Sequence, residues 1–553
     1  MFRKAITLWP FKPAGRGASR VTSATHAGCS PRCFWHYSVL AVLFATAATL
    51  AGCQDTNRSP RTRQKGSAAS REEMNNQNLH YAFSVLRKSE ESQTADVFPI
   101  VVDRLNQWGQ QKQPAADWTP DRLIKTLPDD LQALPAVQNL AVLKFPPSDG
   151  PELQQTVWLS EIAKRARGAD SQAVASAQSL FDWVVRNVQL ERDGTIEVPH
   201  LPREILLLGR GTSADRAWIF SLLARQQGLD VVMLALPGKE AGDEPKLWLP
   251  ALFLDGELYL FDPRLGLPVA GPDGKPVATL NQVLADENLL RGLDVDPQRL
   301  YPVTTADLER IVVLIEGSPL YLSQRMGLVE AELPGKETLT LGTHPAALEG
   351  RIKTHPRVEA VRLWKLPYER LRDTAKLDRD AQQKMAAEFA AFQVRQSTLT
   401  QARMLHLLGI FDGEKGANAL YQAARPPEAD LKAINERTPE KDKPKVQAEL
   451  ARIQAAKQSS SYWLGLVAFE RGNYPAAVDY LKTRTLAASP DGPWTAGARY
   501  NLARSLEALG ETDEAIRFFR ADLSAQRNGN LLRARRLEVA KQQATAGDQN
   551  QAK

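Results

Sequence analysis

The sequence predicts an α+β protein: a central domain with helices packed on an antiparallel sheet, followed by an all-helical array of repeats. Three observations carry that expectation. Residues Gly209 to Gly228 open with a glycine-rich turn, continue through Trp218-Ile219-Phe220-Ser221-Leu222-Leu223, and close on glycine, as a buried central helix should. Three strand-like runs follow, 229–236, 247–254 and 258–261, the last two joined by the hairpin signal Asp255-Gly256. In the carboxy-terminal third, glycines, alanines and large apolar residues recur at a constant offset.

The chain has 553 residues, too many for one core, and a composition of 43% hydrophobic and 24% charged residues that fits several folded domains. The formal charge of +6 is misleading. Arg3, Lys4, Lys12, Arg16, Arg20 and Arg32 stand in a stretch without acids, so the remainder is balanced against all 64 Asp and Glu residues. Nothing in that balance, and no basic patch interleaved with aromatics, favours nucleic acid.

The amino terminus reads as an address. A basic lead precedes an apolar run from Tyr37 to Leu50, short for a membrane span and suited to the h-region of a secretory signal. It ends in Leu50-Ala51-Gly52-Cys53, which resembles the lipobox of bacterial lipoproteins. That resemblance implies cleavage before Cys53, a lipid on its sulfur, and a protein held at the envelope facing the periplasm. The other cysteines, Cys29 and Cys33, lie inside the signal segment 1–53, which leaves the mature chain without disulfides, thiolate metal sites or a thiol nucleophile.

Residues 54–78 are polar, with Arg58, Arg61, Arg63 and Lys65, and read as a flexible tether. The segment 79–157 is helical in pattern and broken by prolines at 99, 114, 120, 128 and 135; Val97, Ile100, Val101, Leu105 and Trp108 suggest one packed face. The central domain is expected over 158–300. Its first helix, 170–190, places Ala173, Ala177, Leu180, Phe181, Val184, Val185 and Val188 on one side, and a loop with Pro199, His200, Leu201 and Pro202 leads to the central helix.

The run Gly211-Thr212-Ser213-Ala214-Asp215-Arg216-Ala217 through Leu222-Leu223-Ala224-Arg225-Gln226-Gln227-Gly228 resembles the nucleophile helix of the bacterial transglutaminase-like family, whose site is a papain-like Cys-His-Asp arrangement. The family's cysteine position falls on Ser213. Its histidine position, before Leu254-Asp255-Gly256, falls on Leu247 or Trp248, and its aspartate matches Asp262 in Phe261-Asp262-Pro263. The family's chemistry needs a thiolate activated by an imidazole that the aspartate orients, and here the first two are replaced. The resemblance therefore implies a degenerate site. A rearranged serine site using Ser213 with His200 or Lys246, as an acyl transferase or peptidase, is the enzymatic alternative. The residues also have plain structural readings: Thr212 and Asp215 as a capping box, Ser213 as a further cap, and Asp262-Pro263 as a turn. The pair Gly209 and Gly211 lacks the signature of a phosphate loop. If the old cleft binds a peptide-like ligand, Arg216, Trp248 and Arg264 are the candidate contacts.

The region 301–425 reads as a connecting α/β-to-helical segment, with strands at 311–315, 338–341 and 358–364, a helix at 345–352 and a long helix at 381–408. His344, His355 and His406 have no metal-ligand spacing, and neither a metal nor a cofactor is implied. In the final region, 426–545, Leu464-Gly465, Gly472-Asn473-Tyr474, Ala477 and Leu481 recur as Leu502-Ala503, Gly510-Glu511-Thr512, Ala515 and Phe519. This resembles two tetratricopeptide repeats whose roughly 34-residue period carries an insertion around Ser489-Pro490-Asp491-Gly492. Helices over 428–457 and 531–543 are expected to flank the pair, because two units bury too little alone. The whole reads as a lipid-anchored envelope protein with a silent enzyme-like domain and helical repeats that present a concave surface to a protein or peptide partner.

Overall fold

The computed structural model describes residues 68–87, 97–168, 172–194, 198–238, 240, 243–333, 339–393 and 398–551. The expected signal and lipidation at Cys53 lie outside them. Among the described residues no helix is long and apolar enough to cross a membrane.

Helix α1, Ala68–Arg87, begins inside the stretch expected to be a tether, which confines that expectation to residues 54–67, outside the described part. Helix α2, Val97–Gly109, buries Val97, Val101, Leu105 and Trp108; Ile100 is 46% exposed, because it sits off the stripe those four define. Three longer elements then build the central layer: α3, Asp149–Ala166; α4, Ala173–Asn187; and, after the short helix α5, Pro202–Leu208, the central helix α6, Ser213–Arg225. Helix α5 begins at Pro202, in the loop expected to lead to the central helix, where proline at the first helical position starts a helix instead. In α6 every residue from Asp215 to Ala224 is buried, as its unbroken apolar pattern requires.

Six strands follow: β1, Asp230–Leu236; β2, Lys246–Leu254; β3, Glu257–Asp262; β4, Leu267–Pro268; β5, Ile311–Ile315; and β6, Val358–Leu363. Their order is β4-β3-β2-β1-β5-β6. All neighbours are antiparallel except β5 and β6, which run parallel, so the expectation of a wholly antiparallel sheet needs that correction. The boundary expected at residue 300 also divides this sheet: β5 and β6 belong to the central layer and are no connector. The run Ile311-Val312-Val313-Leu314-Ile315 is buried at every position, the pattern of a strand covered on both faces. Val231, Met233, Leu252 and Phe261 face the helices, whereas Val232, Leu234, Ala251 and Leu260 join a second core with Leu131, Leu280, Leu290 and Leu308 on the opposite side. Helices thus cover both faces instead of one.

The strand expected at 338–341 is absent over its described residues. There the Gln226 side-chain amide takes the ladder's part, with Thr340 N donating to its Oε1 at 3.2 Å and its Nε2 donating to Thr340 O at 2.9 Å. The long helix expected over 381–408 is broken: Arg379–Glu388 ends, a short 3-10 turn spans Ala390–Gln393, and α7 covers Thr398–Leu408.

The flanking helix expected over 428–457 is split: a helix over Glu428–Arg437 ends before Pro439, a 3-10 turn spans Glu440–Asp442, and α8, Lys443–Glu470, then runs on into the array. It continues with α9, Tyr474–Val478, extended by a π-helical stretch to Ala487, then α10, Thr495–Ala508, α11, Thr512–Arg520, and α12, Arg527–Gln551. A buried polar network joins α8 to α7 and α3. Glu470 accepts from Arg165 Nε at 3.0 Å and lies 3.8 Å from His406 Nε2. His406 Nδ1 lies 3.2 Å from both Arg403 Nη1 and Tyr421 Oη. Burial pushes the His406 imidazole down to about 4, with the Arg403 charge acting in the same direction.

A folded value below the ordinary 6.5 means that the unfolded chain takes up the proton first. The His406 contribution is therefore complete above 6.5 and is lost as pH falls through about 4. Unfolding free energies from urea titrations across that window are expected to drop by at most about 1.4 kcal/mol per pH unit from this group. His406→Gln, which keeps an acceptor for Arg403, is expected to remove that slope.

Candidate functional site

The amino-terminal turn of α6 is built by its glycines and its cap. Gly209 ends α5 in the left-handed region at φ 68°, and a Cβ on Gly211 would stand 2.9 Å from Asp215 Cβ. Thr212 Oγ1 accepts from Asp215 N at 3.2 Å, and Asp215 Oδ2 accepts from Thr212 N at 2.9 Å, the capping box that the sequence announced. The other carboxylate oxygen of this fully buried aspartate accepts from Arg370 Nη2 at 3.1 Å. An ion pair thus closes the end of the helix where a nucleophile would stand.

Ser213 occupies that end, and its Oγ lies 3.5 Å from Asp193 Oδ1, an exposed carboxylate that also pairs with Arg264 at 3.4 Å. A carboxylate in solvent is a weak base for a serine hydroxyl. Neither candidate base reaches Ser213 among the recorded hydrogen bonds of the described residues. His200 is buried with Nε2 2.6 Å from Glu388 Oε2, and Lys246 is exposed at the start of β2.

Asp262 is held elsewhere. Its Oδ1 accepts from the backbone N–H groups of Arg264 and Leu265 at 2.8 and 2.9 Å, and its Oδ2 accepts from Tyr301 Oη at 2.8 Å. Tyr301 Oη in turn accepts from Trp248 Nε1 at 3.0 Å. Burial raises the Asp262 carboxyl and pushes the Tyr301 phenol well above its ordinary value. The relay runs from indole to phenol to carboxylate. An indole N–H only donates and this phenol holds its proton, so neither Trp248 nor Tyr301 supplies a base. Tyr301 packs in the core on the sheet face away from α6, so Asp262 is turned from Ser213. Leu247, the other residue at the histidine position, is 41% exposed.

The three proposed cleft contacts separate. Arg264 has an exposed guanidinium, while Trp248 Nε1 is committed to Tyr301. Arg216 is 2% exposed and needs correction as a ligand contact. It donates to Val188 O at 2.8 Å, Val185 O at 3.2 Å, Pro263 O at 3.1 Å and Gln526 Oε1 at 2.6 Å. Burial lowers it to about 10, with no ion-paired carboxylate among the described residues to offset the loss of solvent. Tyr301, Asp193, Arg370 and Gln526 escaped the sequence reading, because each is distant in the chain and carries no local motif. The one available signal was Trp248 itself, an aromatic whose N–H needs a partner when covered.

The repeat residues converge as their offset implied. Leu464, Ala477, Leu481, Leu502, Ala503, Ala515 and Phe519 are buried, and a Cβ on Gly465 would stand 2.7 Å from Leu481. Gly472 and Gly510 turn the chain at φ 72° and 79°, and the Tyr474 ring packs 5.2 Å from Phe469. The array lies against the central domain. Gly497 N donates to Gln189 Oε1 at 2.8 Å, Asn501 Nδ2 donates to Arg186 O at 3.0 Å, and Arg504 pairs with Asp182 of α4. Helix α10 therefore meets the chain's own α4 and the residues just after it.

Residues 496–521 match the tetratricopeptide repeat family. No curated protein and no solved structure matches the chain. The match falls on α10 and α11, the second of the two units, and repeats of this family generally mediate protein–protein interaction.

Arg216→Met is expected to destabilise the chain by roughly 3 kcal/mol or more, read from urea unfolding, because several buried acceptors lose their donor together. Ser213→Ala is expected to shift the same measurement by less than about 0.5 kcal/mol, since its one contact is long and solvent-exposed.

Proposed function

We propose that the chain is a protein-binding or assembly module of the bacterial envelope, anchored by a lipid on Cys53 and facing the periplasm. In this reading the central domain is transglutaminase-like and catalytically silent, and it acts as a rigid platform for the helical array. The observation that carries the proposal is the match over 496–521, set in paired helices with the recurring small and aromatic positions. The hydrogen bond of Ser213 supports the silent domain: among the described residues its Oγ is bonded to the exposed Asp193 carboxylate and to no imidazole or amine.

The contacts of α10 with α4 direct a partner to the outer and end surfaces of the array. Deleting the array would strip Gln526 from Arg216 and disturb the central domain as well, so the partner surface is probed on the full chain. Photo-crosslinking is suited instead. A crosslinking amino acid at the exposed positions Lys482 or Arg517 is expected to trap one discrete partner, and one at Tyr81 to trap none; equal trapping at all three would overturn the assignment to the array. Labelled palmitate is expected to mark wild type and spare Cys53→Ser. A fluorophosphonate probe that labels wild type but not Ser213→Ala would overturn the silent domain and favour a serine acyl transferase or peptidase.

A further inference from the structure

A cavity of about 250 Å³ opens where α8, the π-helical stretch after α9 and the loop into α10 meet. Its wall carries three cationic side chains, Arg425, Lys457 and Arg484, and no carboxylate; Ala488, Pro493 and Trp494 supply an apolar side. Arg425 is fixed by its Nε, which donates to Ser461 Oγ at 2.9 Å, and by its Nη1, which donates to Gln422 Oε1 at 2.9 Å. Arg484 is fixed by its Nε, which donates to Asp479 Oδ2 at 2.8 Å.

Both guanidiniums lie over the same Tyr480 ring, at 5.8 and 4.8 Å from its centroid. Their positive charges are thereby held close together, against mutual repulsion. Among the described residues, no hydrogen bond engages Nη2 of Arg425 or either terminal nitrogen of Arg484. Lys457 is drawn outward to Glu428 at 2.9 Å. A second polar group is also unused: Gln454 Oε1 is buried at the cavity without a partner, and rotation of that amide would present its N–H₂ instead. Burial lowers the Arg425 pKa and the neighbouring Arg484 charge acts the same way, against the opposing pull of Tyr480 and of the Asp479 carboxylate that pairs with Arg484.

We propose that this cavity is a binding site for an oxyanion, a carboxylate or phosphate group on a small ligand, gripped between Arg425 and Arg484. Guanidinium forks match both oxyanions geometrically, and the Pro493 and Trp494 side accommodates a short organic body. The site is independent of the protein-partner reading above, and either stands if the other fails.

Isothermal titration calorimetry on the full chain, with inorganic phosphate and separately with succinate as probes in chloride buffer, tests it. One or both probes are expected to saturate a single site per chain. Arg484→Gln, at a half-exposed position, and Arg425→Gln are each expected to weaken binding by about tenfold or more, while the exposed control Lys432→Gln leaves it unchanged. Thermal melts of the variants identify any loss that comes from unfolding. Saturation by phosphate alone assigns a phosphate ligand, by succinate alone a carboxylate ligand, and by both an unselective oxyanion site. Absence of saturable heat with both probes, or binding by folded Arg484→Gln equal to wild type, overturns the proposal.

Discussion

The buried guanidinium of Arg216 is the constraint on which the rest of the architecture depends. It stands in the first turn of α6 and donates to the carboxy-terminal end of α4, to the loop after β3 and to Gln526 of the array. A charge taken out of water is tolerated only where it is fully hydrogen-bonded, so these elements are fixed relative to one another. Gln526 completes the clamp by donating from Nε2 to Leu265 O at 2.7 Å. Close approach does the rest: a Cβ on Gly529 would stand 1.7 Å from that same carbonyl oxygen.

The clamp has chemical consequences. It holds the array against the loop that follows Asp262, while Tyr301 and Trp248 hold that carboxylate from the other face of the sheet. Arg370 closes the capped end of α6 through Asp215. Of the positions where the transglutaminase-like resemblance would seat a nucleophile, an imidazole and an aspartate, Trp248 and Asp262 share Tyr301 as partner, whereas Ser213 bonds to Asp193. The array in turn is held to α4 through Asn501 and Arg504 and to Gln189 just after it through Gly497, while the cavity around Arg425 and Arg484 stays open.

Much of the fold was legible in local pattern. The buried α6, the three strands from Asp230 to Asp262, the capping box at Thr212 and the paired helices at Gly472 and Gly510 all follow from apolar periodicity, turn glycines and caps within short windows. Errors arose where a distant group supplied what local structure lacked. Gln226 satisfies the backbone of Thr340 where a strand was expected, and β5 and β6 join a sheet whose other strands end at residue 268.

The sequence by itself determined most element types and that Ser213 and Leu247 or Trp248 stand where the resemblance calls for a cysteine and a histidine, because periodicity and residue identity are local properties. Only the tertiary structure decided that Arg216 is a buried staple, that Asp262 answers to Tyr301, and that Arg425 and Arg484 meet over one tyrosine. Those pairings join residues up to hundreds of positions apart, and such contacts are set by how layers pack and which buried polar atoms remain to be satisfied.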